Sequence, residues 1–261
     1  MTSPTNASVA AGSLAELLIR SGPIALFLDF DGVLAEIAPT PEAVTVAPGV
    51  IARLQSLNSA LDGAMAVVTG RSMADVDRFL APLQLPVAAE HGNMRRSRDG
   101  RVVVLDEAAM QIVPDLAAEL EHAFSGDDRI IVERKPSAVA VHYRLAPERA
   151  TECFERVNDA VAARSGFSMV AGKMVIEARA AGADKGAAVR GYMQDEPFAD
   201  RTPLFIGDDI TDEDGFAAAQ QLGGAGIKVG PGDTIANYRI PGTANVVAVL
   251  DAVIRSGEFL P

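Results

Sequence analysis

Leu26-Phe27-Leu28-Asp29-Phe30-Asp31-Gly32 ends an apolar run with two aspartates at i and i+2. Residues 24–30 read as a fully buried strand, so both carboxylates stand at its tip. A strand gains nothing from them there. They repel one another, and burying them is expensive unless a cation or hydrogen bonds compensate. The economical explanation is metal-assisted phosphoryl transfer, with Asp29 attacking phosphorus and Asp31 handling the leaving-group proton. The string becomes decisive because three further pieces follow it in order.

The first is Thr69, at the end of Ala66-Val67-Val68-Thr69-Gly70-Arg71. A hydroxyl at a strand's end, followed by glycine and a helix N-terminus, suits a phosphate oxygen. The second is Lys185 in Gly182-Ala183-Asp184-Lys185-Gly186, in the first turn of a helix. The helix dipole disfavours a cation there, so Lys185 needs an anionic partner. The third is Gly207-Asp208-Asp209-Ile210-Thr211-Asp212, again after an apolar strand.

Strands and helices alternate around these pieces. The pattern predicts a helix over 48–61, a strand over 64–69, a short helix capped by Ser72 and a strand over 86–90. After the middle of the chain it predicts a helix over 184–194, a strand over 202–207, a helix over 212–222, a strand over 225–229 and a last helix near 246–256. The implied fold class is α/β, a doubly wound, Rossmann-like parallel sheet. Ligands of such sheets bind beyond the carboxyl ends of the strands. Asp29, Asp31, Asp208, Asp209 and Asp212 therefore converge, and five carboxylates cannot all stay ionised without a cation. Oxygen-only ligands beside a phosphate indicate Mg²⁺. The plain alternative, that each motif merely caps the helix after it, suits any one of them but not all four in this order.

The pattern changes near residue 110. A helix (112–124), two strands (129–135 and 138–145), a second helix (147–164) and two more strands (168–171 and 173–179) make a helix-strand-strand unit twice. Residues 110–180 thus read as an inserted cap with a small antiparallel sheet, and residues 1–109 and 181–261 as the core. Residues 1–12 read as frayed. Strand alternation puts Val139, Val141, Tyr143 and Leu145 on an apolar face, with Met174 and Ile176 opposite Val175, Glu177 and Arg179. The other face carries Glu133, Lys135, His142, Arg144, Glu177 and Arg179. One wet face is common in antiparallel sheets, so periodicity alone does not make this face a binding site.

The net charge of −12 argues against nucleic acid or an anionic membrane as partner. No apolar run approaches the roughly 20 residues of a membrane span. The N-terminus lacks a basic region followed by an apolar core, so no secretory signal is expected. Cys153 is the single cysteine, which excludes intrachain disulfides and fits a reducing, cytoplasmic setting. The basic run Arg95, Arg96, Arg98 and Arg101 flanks Asp99-Gly100, a turn signal, and reads as a solvated hairpin.

The four pieces resemble the motifs of the haloacid-dehalogenase-like phosphatases. The rest of the chain resembles one family among them, the trehalose-6-phosphate phosphatases. The resemblance rests on Glu90-His91-Gly92, on Val132-Glu133-Arg134-Lys135-Pro136 with Val141-His142-Tyr143-Arg144, and on Gly172 to Arg179. Phe205 to Glu213 and Ile227-Lys228-Val229-Gly230 fit as well, and the whole spans about residues 20–255. Val33 and Asn93 depart from the usual pattern. The resemblance implies hydrolysis of trehalose 6-phosphate through an aspartyl-phosphate on Asp29, with Asp31 as acid and then base, and with Thr69 and Lys185 on the transferring oxygens. It implies Mg²⁺ held by the Asp29 carboxylate, the Asp31 carbonyl and Asp208, with Asp209 and Asp212 orienting metal-bound water. Glu133, Lys135 and Glu177 would bind the distal glucose, and His91, Gly92 and Asn93 would line the core side of the cleft. Arg71 would support the phosphate or the lid. A separate trehalose-6-phosphate synthase is the implied functional partner, and a monomer the expected state. A phosphatase of another sugar phosphate, such as sucrose phosphate or a mannosylglycerate phosphate, stays open. A phosphomutase would need a bisphosphate activator, and a non-enzymatic sugar-phosphate sensor would usually lack Asp29, Asp31 or Lys185.

Overall fold

Strand β1 is Ala7–Ser8, and the apolar run before Asp29 is strand β2, Ile24–Leu28, buried along its whole length. The structure, a computed structural model, describes residues 7–8, 22–38, 40, 43–47 and 49–257. It divides into two compact units. One holds the described residues of Met1–Ile37, Val44–Val102 and Asp184–Pro261, and the other those of Ala38–Ala43 and Val103–Ala183.

After β2, the chain runs through α1 (Val50–Ala60), β3 (Met65–Val68), α2 (Met73–Leu80), β4 (Val87–Ala89), β5 (Met94–Arg96) and β6 (Val102–Val104). The second unit follows as α3 (Glu107–Phe124), β7 (Ile131–Arg134), β8 (Ala138–His142), α4 (Ala150–Ala162), β9 (Phe167–Gly172) and β10 (Val175–Ala180). Then come α5 (Lys185–Tyr192), β11 (Thr202–Gly207), α6 (Glu213–Gln221), β12 (Ala225–Val229), β13 (Tyr238–Ile240) and α7 (Thr243–Gly257).

The large sheet has the order β1-β13-β12-β11-β2-β3-β4-β5-β6. Its strands from β13 to β4 are all parallel, and β5 returns antiparallel to β4. Leu28 pairs with Ile206 on one side and Val67 on the other, so the tips of β11, β2 and β3 lie side by side. Aliphatic side chains fill these strands because both faces are covered. Phe27 stacks on Phe198, with ring centroids 5.6 Å apart, and this anchors β2 beneath its acidic tip.

The α/β class and the second, antiparallel sheet match the expectation, and several boundaries differ. Helix α3 starts at Glu107, because the Asp106 side chain caps it by accepting the Ala109 N–H at 3.1 Å. Residues 147–149 form a 3₁₀ turn before α4. Strands β1 and β13, which pair in parallel, were not expected. Ala7–Ser8 is therefore ordered into the sheet, while the rest of residues 1–12, and Pro48, lie outside the described residues. The hairpin at Asp99-Gly100 forms, but the Arg96 side chain is only 13% exposed there and forks onto Asp77 at 2.7 Å through its two terminal nitrogens.

The second unit's sheet has the order β7-β8-β10-β9, all antiparallel. Its apolar face packs Val139, Val141, Ile176, Ala178 and Phe167 against Val113, Leu116, Leu120, Cys153 and Val157 of α3 and α4. Leu145 does not join this face: β8 ends at His142, and Leu145 is 46% exposed. Met174 does not join it either, because it occupies the β9–β10 turn with φ of 61°. Among the described residues, no helix is long and apolar enough to cross a membrane.

Candidate active site

At the tip of β2 the Asp29 N–H still donates to the Ile206 carbonyl at 2.9 Å, so Asp29 is the last residue held in the ladder. Its Oδ1 accepts the Phe30 N–H at 2.7 Å, and its Oδ2 lies 2.9 Å from the Lys185 ammonium. The chain then turns at Gly32, whose φ is 72°. A side chain there would collide with the Asp208 carboxylate. Glycine thus admits Asp208 against the backbone that follows Asp31.

Asp29, Asp208 and Asp212 are all buried, and each offers a carboxylate oxygen within 4.8 Å of the others. Burial, and then the Asp212 charge, push the Asp29 carboxyl well above the usual range, with Lys185 pulling the other way. Burial works against the charge on Lys185, but Asp212 and then Asp29 outweigh it and hold the ammonium above its usual value. Two buried lysines, Lys185 and Lys228, stand against three buried carboxylates, which leaves negative charge in excess. The donor set is all oxygen and therefore hard, so the cluster suits a divalent cation.

Asp212 has a second duty. Its Oδ1 takes the Lys185 ammonium at 2.6 Å, and its Oδ2 takes the N–H groups of Asp208 and Asp209 at 2.8 Å each. Asp209 caps the next turn by accepting the Ile210 N–H at 2.8 Å. These bonds give the loop one shape and orient the Asp208 carboxylate. Lys228 braces it from below: buried on β12, it donates to the Asp208 carbonyl at 2.6 Å. The sequence reading gave Lys228 no role, although a lysine inside the apolar run Gly226 to Val229 signals a buried partner.

Thr69 is buried at the end of β3. Its Oγ1 accepts the Arg71 N–H at 3.2 Å. Its carbonyl accepts the His91 N–H at 2.9 Å, and the Arg71 carbonyl accepts the Glu90 N–H at 3.0 Å. These bonds hold three successive left-handed residues, Glu90, His91 and Gly92, with φ of 51°, 56° and 104°. Such a turn costs about 1–3 kcal/mol per strained non-glycine residue and persists only where neighbours fix it. It lays the His91 ring over Gly70, where a side chain would collide with it, and buries Asn93. Arg71 grips the Asp31 carboxylate with two N–H groups, at 2.7 and 2.8 Å.

In the second unit, Glu133 and Glu177 stand on either side of Ala140 in register, so they share one face with a small side chain between them. Glu133 lies 2.7 Å from His142, and Glu177 accepts from Lys135 at 2.5 Å. Arg179 follows in the same row and is buried. Burial opposes the charge on Glu133, but the His142 hydrogen bond and Lys135 outweigh it and lower the carboxyl below its usual value. The sheet thus offers paired, oriented donors and acceptors on its polar face.

Comparison with known proteins gives the family. The trehalose-phosphatase family matches residues 27–242. The trehalose-6-phosphate phosphatase of Escherichia coli K12 is 37% identical over 235 residues, which cover 89% of this chain and 87% of that protein. A probable trehalose-phosphate phosphatase of Sinorhizobium fredii is 44% identical over 209 residues, covering 79% and 78%. A crystal structure of a protein related to trehalose-6-phosphate phosphatase superposes with a TM-score of 0.77 at 27% identity, covering 90% of this chain and 98% of that one. The family match over residues 27–242 and these two relatives show that the chain belongs to the trehalose-phosphatase family.

Proposed function

We propose that the protein is a Mg²⁺-dependent phosphatase that hydrolyses trehalose 6-phosphate to trehalose and phosphate, the last step of trehalose synthesis. The observation that carries this is the Lys185 ammonium 2.9 Å from Asp29 Oδ2, inside a buried cluster of carboxylates. An Asp29 oxygen attacks phosphorus as the bond to the sugar's 6-oxygen breaks, and Asp31 gives that oxygen its proton. Water then attacks the phosphorus of the aspartyl-phosphate, gives its proton to Asp31 and frees Asp29. Lys185 and Thr69 hold the transferring oxygens, so most of the catalytic work is positioning and charge compensation. Asp29, Asp208 and the Asp31 carbonyl would hold the Mg²⁺, with Asp209 and Asp212 fixing their surroundings. When bound, the ion offsets the charge of the carboxylates and the phosphoryl group.

The Glu133, Lys135 and Glu177 face recognises the sugar, because charged groups bind hydroxyls well in both senses. His91, Gly92 and Asn93 shape the core side. A separate trehalose-6-phosphate synthase would supply the substrate, and a cytoplasmic setting suits the single buried thiol of Cys153.

The test is phosphate release from trehalose 6-phosphate, sucrose 6-phosphate, glucose 6-phosphate and mannose 6-phosphate, each with Mg²⁺ and with EDTA. A strong Mg²⁺-dependent preference for trehalose 6-phosphate is expected. Comparable rates on several sugars would overturn the assignment of Glu133, Lys135 and Glu177 and leave the core chemistry standing.

A further inference from the structure

We propose that Arg71 is a positioning residue that aims the Asp31 carboxyl group, and so acts on the leaving-group proton rather than by gripping phosphate. The inference rests on Asp31 as the proton carrier of the proposed reaction.

The geometry is a fork. Arg71 Nε donates to Asp31 Oδ2 at 2.7 Å, and Nη2 donates to Oδ1 at 2.8 Å. Two parallel bonds between planar groups fix orientation as well as distance. The Nε/Nη2 edge of the guanidinium is thereby committed to Asp31.

The two partners are unequal. The Arg71 side chain is 11% exposed and that of Asp31 is 37%. The guanidinium carbon lies 5.3 Å from the centroid of the Phe30 ring and 5.0 Å from that of Phe79, and the two rings lie 5.5 Å apart. Its backbone is tied on both sides, through its N–H to Thr69 Oγ1 and through its carbonyl to the Glu90 N–H. Arg71 is thus the fixed member, and Asp31, half-exposed beyond the end of β2, takes its orientation from it.

Proton transfer needs the carboxyl within hydrogen-bond reach of the departing oxygen, and displacement by an ångström is enough to cost a large factor. When Asp31 is protonated, its carbonyl oxygen keeps one prong of the fork, and the hydroxyl is left to face the ester oxygen. As the bond between phosphorus and the sugar oxygen breaks, that proton passes to the oxygen, the bond to Asp29 forms, and the restored Asp31 carboxylate regains both prongs. Arg71 exchanges no proton with the substrate.

A role of this kind depends on the leaving group. A sugar alkoxide needs the proton; 4-nitrophenolate leaves without it. The experiment measures the first chemical step by rapid mixing for a sugar phosphate and for 4-nitrophenyl phosphate, in the unaltered enzyme and in R71A, R71K and D31N. R71A is expected to slow the sugar ester about 10- to 100-fold, part of the usual worth of general acid catalysis. The 4-nitrophenolate burst and the KM for both substrates should change far less. R71K keeps a cation against the two rings, which guards against misfolding, but it cannot make the fork. It should therefore follow R71A. Adding R71A to D31N should slow the sugar ester no further.

Equal slowing of both substrates, a raised KM for both, full rescue by lysine, or multiplied losses in D31N/R71A would each overturn the proposal. The comparison needs only an alkyl and an aryl ester, so it runs with whichever sugar phosphate the enzyme hydrolyses. A wrong sugar assignment is then seen separately in the unaltered enzyme, and a wrong role for Asp31 in D31N alone.

Discussion

Lys185 lies closer to Asp212 than to Asp29, at 2.6 against 2.9 Å. The carboxylate that holds the lysine also holds the N–H groups of Asp208 and Asp209. A single side chain therefore joins the start of α5 to the loop after β11. Asp212→Asn keeps the shape but turns an amide nitrogen toward a donor on one side or the other. Breaking a buried ionic network in this way costs about 3–5 kcal/mol. Urea unfolding should show that loss, with a fall in kcat, and a stability equal to the unaltered protein would mean that Asp212 is not the brace.

Asp29→Asn should abolish turnover while the protein stays folded. In EDTA at neutral pH it should also melt higher than the unaltered protein, by about 2–4 °C for each kcal/mol of crowding relieved. Burial and Asp212 raise the Asp29 carboxyl, so its charged form works against folding above the usual carboxylate range. A lower melting point would show that the bond to Lys185 outweighs the repulsion, and retained turnover would remove Asp29 as nucleophile.

Mg²⁺ should raise the melting temperature of the unaltered protein, because only the folded chain gathers Asp29 and Asp208. At ten times the dissociation constant the gain is about 1.4 kcal/mol. Asp208→Asn should lose most of that rise. An equal rise in both proteins would place the ion elsewhere.

Glu133→Ala and Glu177→Ala should lower kcat/KM for trehalose 6-phosphate and largely spare a small aryl phosphate. A charged hydrogen bond to a hydroxyl is worth about 1.5–3 kcal/mol, or roughly 10- to 150-fold. Equal loss on both substrates would defeat the division of labour between the two units.

Glu133 also gives a pH signature. Its carboxyl is lowered in the folded state by His142 and Lys135, against burial. The stability it contributes is therefore full above the usual glutamate value, about 4.3, and is lost as pH falls through its lower folded value. The difference in melting temperature between the unaltered protein and Glu133→Gln should shrink as pH falls below the usual glutamate value, about 4.3. A difference that stays constant as pH falls would mean that the pairing carries no charge.

The strand tips were legible because a buried apolar run that ends in Asp29 or Asp208 contradicts itself unless something is bound there. The wet and dry faces of the small sheet were legible because a period of two leaves little choice. Short strands were not: Tyr238–Ile240 has three residues and takes its partners from β12 and β1 rather than from its own pattern. Met174 reads as a strand residue because nothing in its side chain announces a left-handed turn. The Arg71–Asp31 pair spans 40 positions, beyond the reach of any periodicity. From the sequence Arg71 reads as a support for the phosphate or the lid, and its place beside Asp31 appears once β2 and β3 lie together.

The pairing of Leu28 with Ile206 has a consequence for how the enzyme is made. The two paired residues, Leu28 and Ile206, stand 178 positions apart in the chain. Closing so long a loop is slow, because its entropy is lost before the contact forms. Until β11 docks, Asp29 has neither Asp208 nor Asp212 beside it, and the acidic cluster does not exist. The acidic cluster is thus a product of long-range pairing and forms no earlier than the contact between β2 and β11.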